Sequence, residues 1–207
     1  MDFKVFGKED AKTLLLIPGL GVSYEIFLPL IGLLEDRFRI IAVQVDGFTL
    51  GKHTRFTSID DHAILDAAPL LPLPKWLEGP LRYYQCANVW TCYHWTGFWR
   101  WVFHSHYFDV LLDECRKVYP FGGGQAVLDG YKSVYTNKLE EIHGDDIHFW
   151  YGTLEAFVAR PQAKHLKAIF PDVHIEIFPK SNHGQLLVDH PEEVAKRMEE
   201  ITLPESG

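Results

Sequence analysis

The 207-residue chain has no uninterrupted apolar run of the roughly 18 residues that a membrane-spanning helix needs. Its longest apolar stretches, Leu14 to Pro18, Ile40 to Val45 and Ala63 to Pro74, are too short or too interrupted, so no membrane span is expected. The opening residues, MDFKVFGKEDAK, carry acids early and lack an apolar core followed by a small-residue cleavage site. No secretory signal is read there, and a cytoplasmic location is the default expectation. Cysteine is scarce: Cys86, Cys92 and Cys115 form no CxxC pair and read as reduced structural thiols rather than a disulfide framework. Positive charge is also in deficit, with 20 Lys and Arg against 28 Asp and Glu and a net charge of −8. An acidic chain has no electrostatic footprint for phosphate backbones, so nucleic acid is not an expected partner. No internal period of about 20 to 50 residues repeats, which sets aside solenoids and propellers.

What is present is a globular composition, 47% hydrophobic and 23% charged, at a length that suits one domain with an insertion. Thr13 to Ile17 (TLLLI) ends at Pro18-Gly19, and Phe38 to Val45 (FRIIAVQV) ends at Asp46-Gly47. Continuous apolar runs bounded by turn residues read as buried strands of a parallel sheet. Between them Tyr24 to Asp36 places Ile26, Leu30, Leu33 and Leu34 at helical spacing. Further strands are expected at His62 to Ala67, Asp146 to Tyr151 and Val173 to Phe178, with helices at Ala156 to Phe170 and Pro191 to Ile201. Alternating strands and helices predict an α/β fold with a mostly parallel sheet. Pro69 to Gly144 differs in composition, holding five of the six Trp residues, all three Cys and a dense aromatic run from Trp90 to Val118. It reads as an inserted helical cap, residues 69–144, dividing a core made of residues 1–68 and 145–207. Trp95, Trp99 and Phe103 either pack a satellite core there or roof an apolar pocket.

The runs LLLIPGLGVSYEIF, FRIIAVQVDGFTLGKHTRFTSIDD, HFWYGTLEAFVARPQAKHL and EIFPKSNHGQLLVDHPEEVAKRM, at both ends of the chain, resemble the α/β-hydrolase superfamily, particularly small bacterial carboxylic-ester hydrolases. In such enzymes a Ser on a tight strand-to-helix turn attacks a carbonyl, a His takes its proton, and an acid after a later strand orients that His. The resemblance puts the His at His183, in Ser181-Asn182-His183-Gly184, and the acid at Glu155, three residues beyond Gly152. The alternatives are a loop His and an ordinary first-turn helix acid. The resemblance also assigns an oxyanion loop to Gly19-Leu20-Gly21, where small residues let backbone N–H groups approach a developing negative charge. It implies no cofactor or metal. The expected partner is a small-molecule ester or an apolar ligand.

The departure from the family is equally plain: no G-x-S-x-G occurs. Residues 47 to 62 separate the second strand from HAILDAAP, where two strand-helix-strand units sharing a strand would need roughly 50 residues. One contiguous block carrying the nucleophile strand is absent, with Asp60-Asp61-His62 at the junction. Thr49 in GFTLG is formally central, yet KHTRFTSIDD after it has poor helical periodicity and fails the elbow context. Ser23 suits a helix cap better than a nucleophile, Ser58 lies in the shortened connection, and Cys86 and Cys92 have no neighbouring signal of activation. His94, His104, His106 and Asp109 follow no zinc template. Loss of the block is expected to make the first and third of these strands neighbours or to leave a breach. An open edge also invites a strand from a partner chain, a homo-oligomer being one source. Two functions follow as expectations: ester hydrolysis with an unassigned nucleophile, or a catalytically silent relative that binds through the Trp-rich cap.

Overall fold

The computed structural model describes residues 2–18, 22–44, 62–66, 75–118, 146–182 and 184–203. Gly19, Leu20, Gly21, Thr49, Ser58 and His183 lie outside the described residues. Chain contacts divide the protein into two compact units. One comprises Met1–Lys52, Pro74–Lys132 and Leu187–Ala195; the other comprises His53–Leu73, Ser133–Leu186 and Lys196–Gly207.

In the first unit β1 (Asp2–Gly7), β2 (Thr13–Leu16) and β3 (Arg39–Gln44) form a sheet in the order β1-β3-β2. β2 and β3 run parallel, as the apolar runs predict, with Leu15 opposite Ile41. β1 was not anticipated from the sequence: it lies antiparallel to β3, with Phe3 opposite Val43 and Val5 opposite Ile41. Its six residues mix Asp, Lys and Gly with apolar positions, so only the ladder to β3 makes it a strand. Gly7 closes that ladder at φ +80°, and a Cβ there would fall 2.0 Å from the Phe38 carbonyl oxygen. Only glycine fits so close an approach.

The expected helix over Tyr24 to Asp36 divides into a 3-10 turn, Tyr24–Phe27, and α1, Leu28–Leu34, with Pro29 in its first turn. A Pro near the start of a helix removes only an N–H that has no partner there, so the chain restarts its hydrogen-bonding at that point. Leu30, Ile31 and Leu34 of α1 are buried, as are Leu16, Ile40 and Ala42 of the sheet. The opposite sheet face is different, because Phe3, Val5 and Leu15 are exposed. The expectation of a strand buried on both faces therefore fails for β2. The connection between β3 and β4, residues 45–61, is too short for the helices that would otherwise lie on that face.

Three helices follow in the same unit: α2 (Lys75–His94), α3 (Thr96–Phe103) and α4 (His106–Val118). The aromatic run is thus broken twice, at Trp95 and at His104, which takes a left-handed conformation with φ 44° as the cap of α3. Arg100 of α3 reaches Asp113 of α4 at 2.6 Å and Asp109 at 3.4 Å. An aromatic stack of Trp99, Phe103 and Phe108 also links the two helices, with ring centroids 5.5 and 4.0 Å apart.

The second unit holds β4 (His62–Asp66), β5 (Asp146–Gly152) and β6 (His174–Phe178) in a parallel sheet ordered β4-β5-β6. α5 (Ala156–Ile169) follows β5. Ala156, Ala159, Ala163 and Leu166, spaced three or four apart, form one buried core with Ile147, Phe149 and Tyr151 of the strand. Small residues on the helix let it approach the sheet closely, which is how Phe149 comes to be fully buried. The short helix α6 (Gln185–Asp189) and the helix α7 (Pro191–Thr202) complete the described chain. Among the described residues β2 pairs only with β3 and β4 only with β5, so the sheet is recorded in two halves. A direct ladder between β2 and β4 is not among the described pairings.

Candidate functional site

Glu155 stands at the end of a 3-10 turn, Thr153–Glu155, that begins as β5 ends. It is 9% exposed, and its Oε1 accepts the Gly152 backbone N–H at 3.0 Å. That bond curls the turn back on itself and holds the carboxylate at the carboxyl end of a parallel strand, where open α/β sheets place their ligands.

The residues just before position 183 reach the same turn. Leu154 donates its backbone N–H to the Ser181 carbonyl at 3.1 Å, and the Lys180 N–H donates to Thr153 Oγ1 at 2.8 Å. Gly152 makes the approach possible: a Cβ on it would lie 1.9 Å from the Ser181 carbonyl oxygen. Lys180 adopts φ 58°, a left-handed conformation that turns the chain at the end of β6. Past position 183, Asn182 and Gln185 bond reciprocally. The Asn182 N–H donates to Gln185 Oε1 at 3.1 Å, and the Gln185 N–H donates to the Asn182 carbonyl at 3.1 Å. Gly184, at φ 67°, supplies the turn between them. The Glu155 turn and the Lys180-Ser181 segment are therefore joined by two hydrogen bonds and one close backbone approach within one unit.

The remaining sequence candidates are dispersed. Ser23 is a buried cap whose Oγ donates to Glu114 Oε2 at 2.7 Å and accepts the Glu25 N–H at 3.3 Å. A hydroxyl so engaged is a structural group, in agreement with its reading as a cap. Trp95 and Phe103 are exposed, while Trp99 is half-buried with an Nε1 that has no hydrogen-bond partner among the described residues. Cys92 is of intermediate exposure. Of the His and Asp residues weighed as metal ligands, His106 pairs with Asp189 at 3.0 Å and Asp109 faces Arg100. Among the described residues no three His, Cys, Asp or Glu side chains are grouped to hold a metal.

One polar cluster escaped the sequence reading. Glu114 of α4 is 3% exposed and accepts both the Ser23 N–H, at 2.9 Å, and the Ser23 hydroxyl. Lys117 bridges it to Glu25, at 2.7 and 2.6 Å. These hydrogen bonds and charges raise the Lys117 pKa, and the Lys117 ammonium lowers that of Glu25. The cluster borders a cavity of about 300 Å³ that is also lined by Ile26, Pro29 and His106. A spacing of 91 residues between Ser23 and Glu114 hides the pair from any local pattern. The only sequence sign was an acid and a base three apart on a helix, which is common on solvated surfaces.

No protein-family model and no curated protein sequence matches the chain. Solved structures do. An α/β-hydrolase family protein from Desulfitobacterium hafniense superposes with a TM-score of 0.66 at 16% identity, over 97% of this chain and 99% of that one. A thermophilic esterase from Thermogutta terrifontis gives 0.67 at 13% identity, over 96% and 91%. A 1H-3-hydroxy-4-oxoquinoline 2,4-dioxygenase gives 0.60 at 15% identity, over 96% and 93%. At this level of identity the similarity shows the fold, which is that of the α/β hydrolases in reduced form. The three similar structures include both an esterase and a dioxygenase, so the fold leaves the chemistry to be argued from the site.

Proposed function

From the α/β-hydrolase fold as premise, we propose that this chain is a carboxylic-ester hydrolase reduced to the acid–base half of its catalytic machinery. The observation that carries the reading is the stitching of the Glu155 turn to the Lys180-Ser181 segment that leads into position 183. It supports Glu155 as acceptor of the His183 Nδ1 proton, with His183 as the base. In this reading water takes the place of the Ser that the chain lacks. His183 removes a proton from water as its oxygen bonds to the acyl carbon, and the carbonyl electrons move onto oxygen beside the Gly19-Leu20-Gly21 backbone. The tetrahedral adduct collapses, the carbon–oxygen bond to the alcohol breaks, and the imidazolium returns its proton to the alkoxide. Enzymes of this type that lose the nucleophile keep roughly 10³-fold acceleration over water, which sets the expected rate.

Hydrolysis of an activated acetyl ester by the purified chain tests it, alongside His183→Ala, Glu155→Ala and a mass measurement after exposure to a fluorophosphonate. The expectation is slow turnover lost in His183→Ala, reduced in Glu155→Ala, and no fluorophosphonate adduct. Turnover identical in all three proteins would sink the proposal, and a stoichiometric adduct would point instead to a surviving nucleophile. A second reading, a silent relative that binds an apolar ligand or protein through the Trp-rich segment, is favoured by the exposed aromatics of α2 and α3 and by the unpartnered Trp99 Nε1.

A further inference from the structure

Helix α2 exposes a face that soluble helices normally cover. Trp76, Tyr83 and Trp90 recur every seven residues, and they are 75%, 80% and 47% exposed. A seven-residue repeat drifts by only about 20° per step around a helix, so the three rings form one stripe along a helix about 30 Å long. Between the rings, on the same face, stand Gly79 and Ala87, each four residues from Tyr83 and each exposed. A Cβ built on Gly79 meets nothing within 4 Å. The stripe contains no Lys, Arg, Asp or Glu, in a chain that carries 48 such residues. From Gly79 to Phe108 there is no acid at all, although the protein as a whole is acidic.

The order of residues along this face is symmetric. Reading outward from Tyr83 in either direction gives a small residue at the fourth position and a Trp at the seventh. A two-fold pairing sets residue i of one copy against j of the other and j against i, so a stripe symmetric about Tyr83 matches Trp with Trp and small residue with small residue along its whole length. We propose that α2 pairs antiparallel with α2 of a second copy of this chain, about a two-fold axis at Tyr83. Trp76 of one copy then lies against Trp90 of the other, the two Tyr83 rings meet on the axis, and Gly79 comes level with Ala87. The small residues let the helices approach, and the aromatic rings interdigitate around them in a left-handed crossing. No charge on the stripe is desolvated by the pairing.

The area bounds the strength. At roughly 150–250 Å² per aromatic side chain, the exposed parts of the three rings amount to roughly 400 Å² per copy. That is about half of the roughly 800 Å² per partner in a standard stable interface. The dimer is accordingly weak, dissociating in the micromolar range, and independent of the reaction proposed above.

Sedimentation velocity from about 1 to about 300 µM tests the pairing over the range where so small an interface comes apart. The unsubstituted protein is expected to shift from monomer to dimer. Gly79→Leu and Tyr83→Glu are expected to stay monomeric with an unchanged far-ultraviolet circular dichroism spectrum. Tyr83→Glu is the stronger of the two tests, because Gly79 precedes Pro80 within α2 and a Cβ before proline disfavours helical backbone, so the unchanged spectrum is what qualifies Gly79→Leu. With Cys86, Cys92 and Cys115 all replaced by Ser, Gly79→Cys and Ala87→Cys should cross-link when mixed and not when each is oxidised alone. A protein monomeric throughout, a dimer that survives both substitutions, or self-linking of either single cysteine variant would overturn the proposal. So would co-sedimentation with phosphatidylcholine vesicles by a protein that never self-associates, since the stripe would then be a lipid-facing surface.

Discussion

At the scale of single residues, two glycines and one lysine carry more than their chemistry suggests. Gly152 was used in the sequence only as a landmark for Glu155, yet its missing side chain is what lets the Ser181 carbonyl reach the turn. Gly152→Ala should cost about 1–3 kcal/mol, the usual penalty for forcing atoms into a packed site. Urea unfolding would read this directly, and an unchanged midpoint would mean that the two segments can separate without loss. Gly7, under the Phe38 carbonyl, was equally invisible before the β1–β3 ladder existed. Lys117 gives a pH signature. It holds the Glu25 carboxylate below its ordinary range, so this pair contributes stability above that range and loses it as pH falls through the lowered value. Thermal midpoints followed into acid should therefore fall more steeply in the unsubstituted protein than in Lys117→Met. Both side chains are about half exposed, so the difference is small and should shrink at about 1 M salt. Equal slopes would show that the pair contributes nothing.

At the scale of elements, periodicity located what burial alone decides. β3, β5, β6, α5 and α7 were legible because their apolar positions repeat at strand or helix spacing and end at Gly, Pro or Asp. β1 was not, since a short strand with charged positions acquires its identity from its neighbour. The aromatic run from Trp90 to Val118 read as one helical stretch, and its breaks at Trp95 and His104 came from backbone geometry that aromatic residues do not announce. The α5–β5 pair offers the cleanest test of packing. Ala163 is 5% exposed between strand and helix, so Ala163→Leu should destabilise by about 1–3 kcal/mol through overpacking, although Leu is a good helix former. Stability unchanged or increased in chemical denaturation would mean that α5 is free to move away from β5.

At the scale of the whole molecule, the two half-sheets have a consequence for unfolding. No ladder joins β2 to β4 among the described residues, and cooperative unfolding units are contiguous in the structure. Five Trp residues belong to the first unit, and Trp150 alone belongs to the second. Fluorescence of a Trp150→Phe variant therefore reports the first unit, while circular dichroism reports both. The expected outcome is that the two urea transitions do not coincide; superimposable curves would show that the halves unfold as one. The sequence by itself determined the α/β class, the parallel strands, the absence of a nucleophile elbow and the candidacy of Glu155 and His183, because periodicity, turn residues and motif spacing are local. The tertiary structure alone decided that the Glu155 turn meets the Lys180-Ser181 segment, that Ser23 gives its hydroxyl to Glu114, and that Phe3, Val5 and Leu15 of the first sheet and the Trp76-Tyr83-Trp90 stripe stay exposed. Each of these depends on which distant backbone passes within a few ångströms, and no window of neighbouring residues contains that distance.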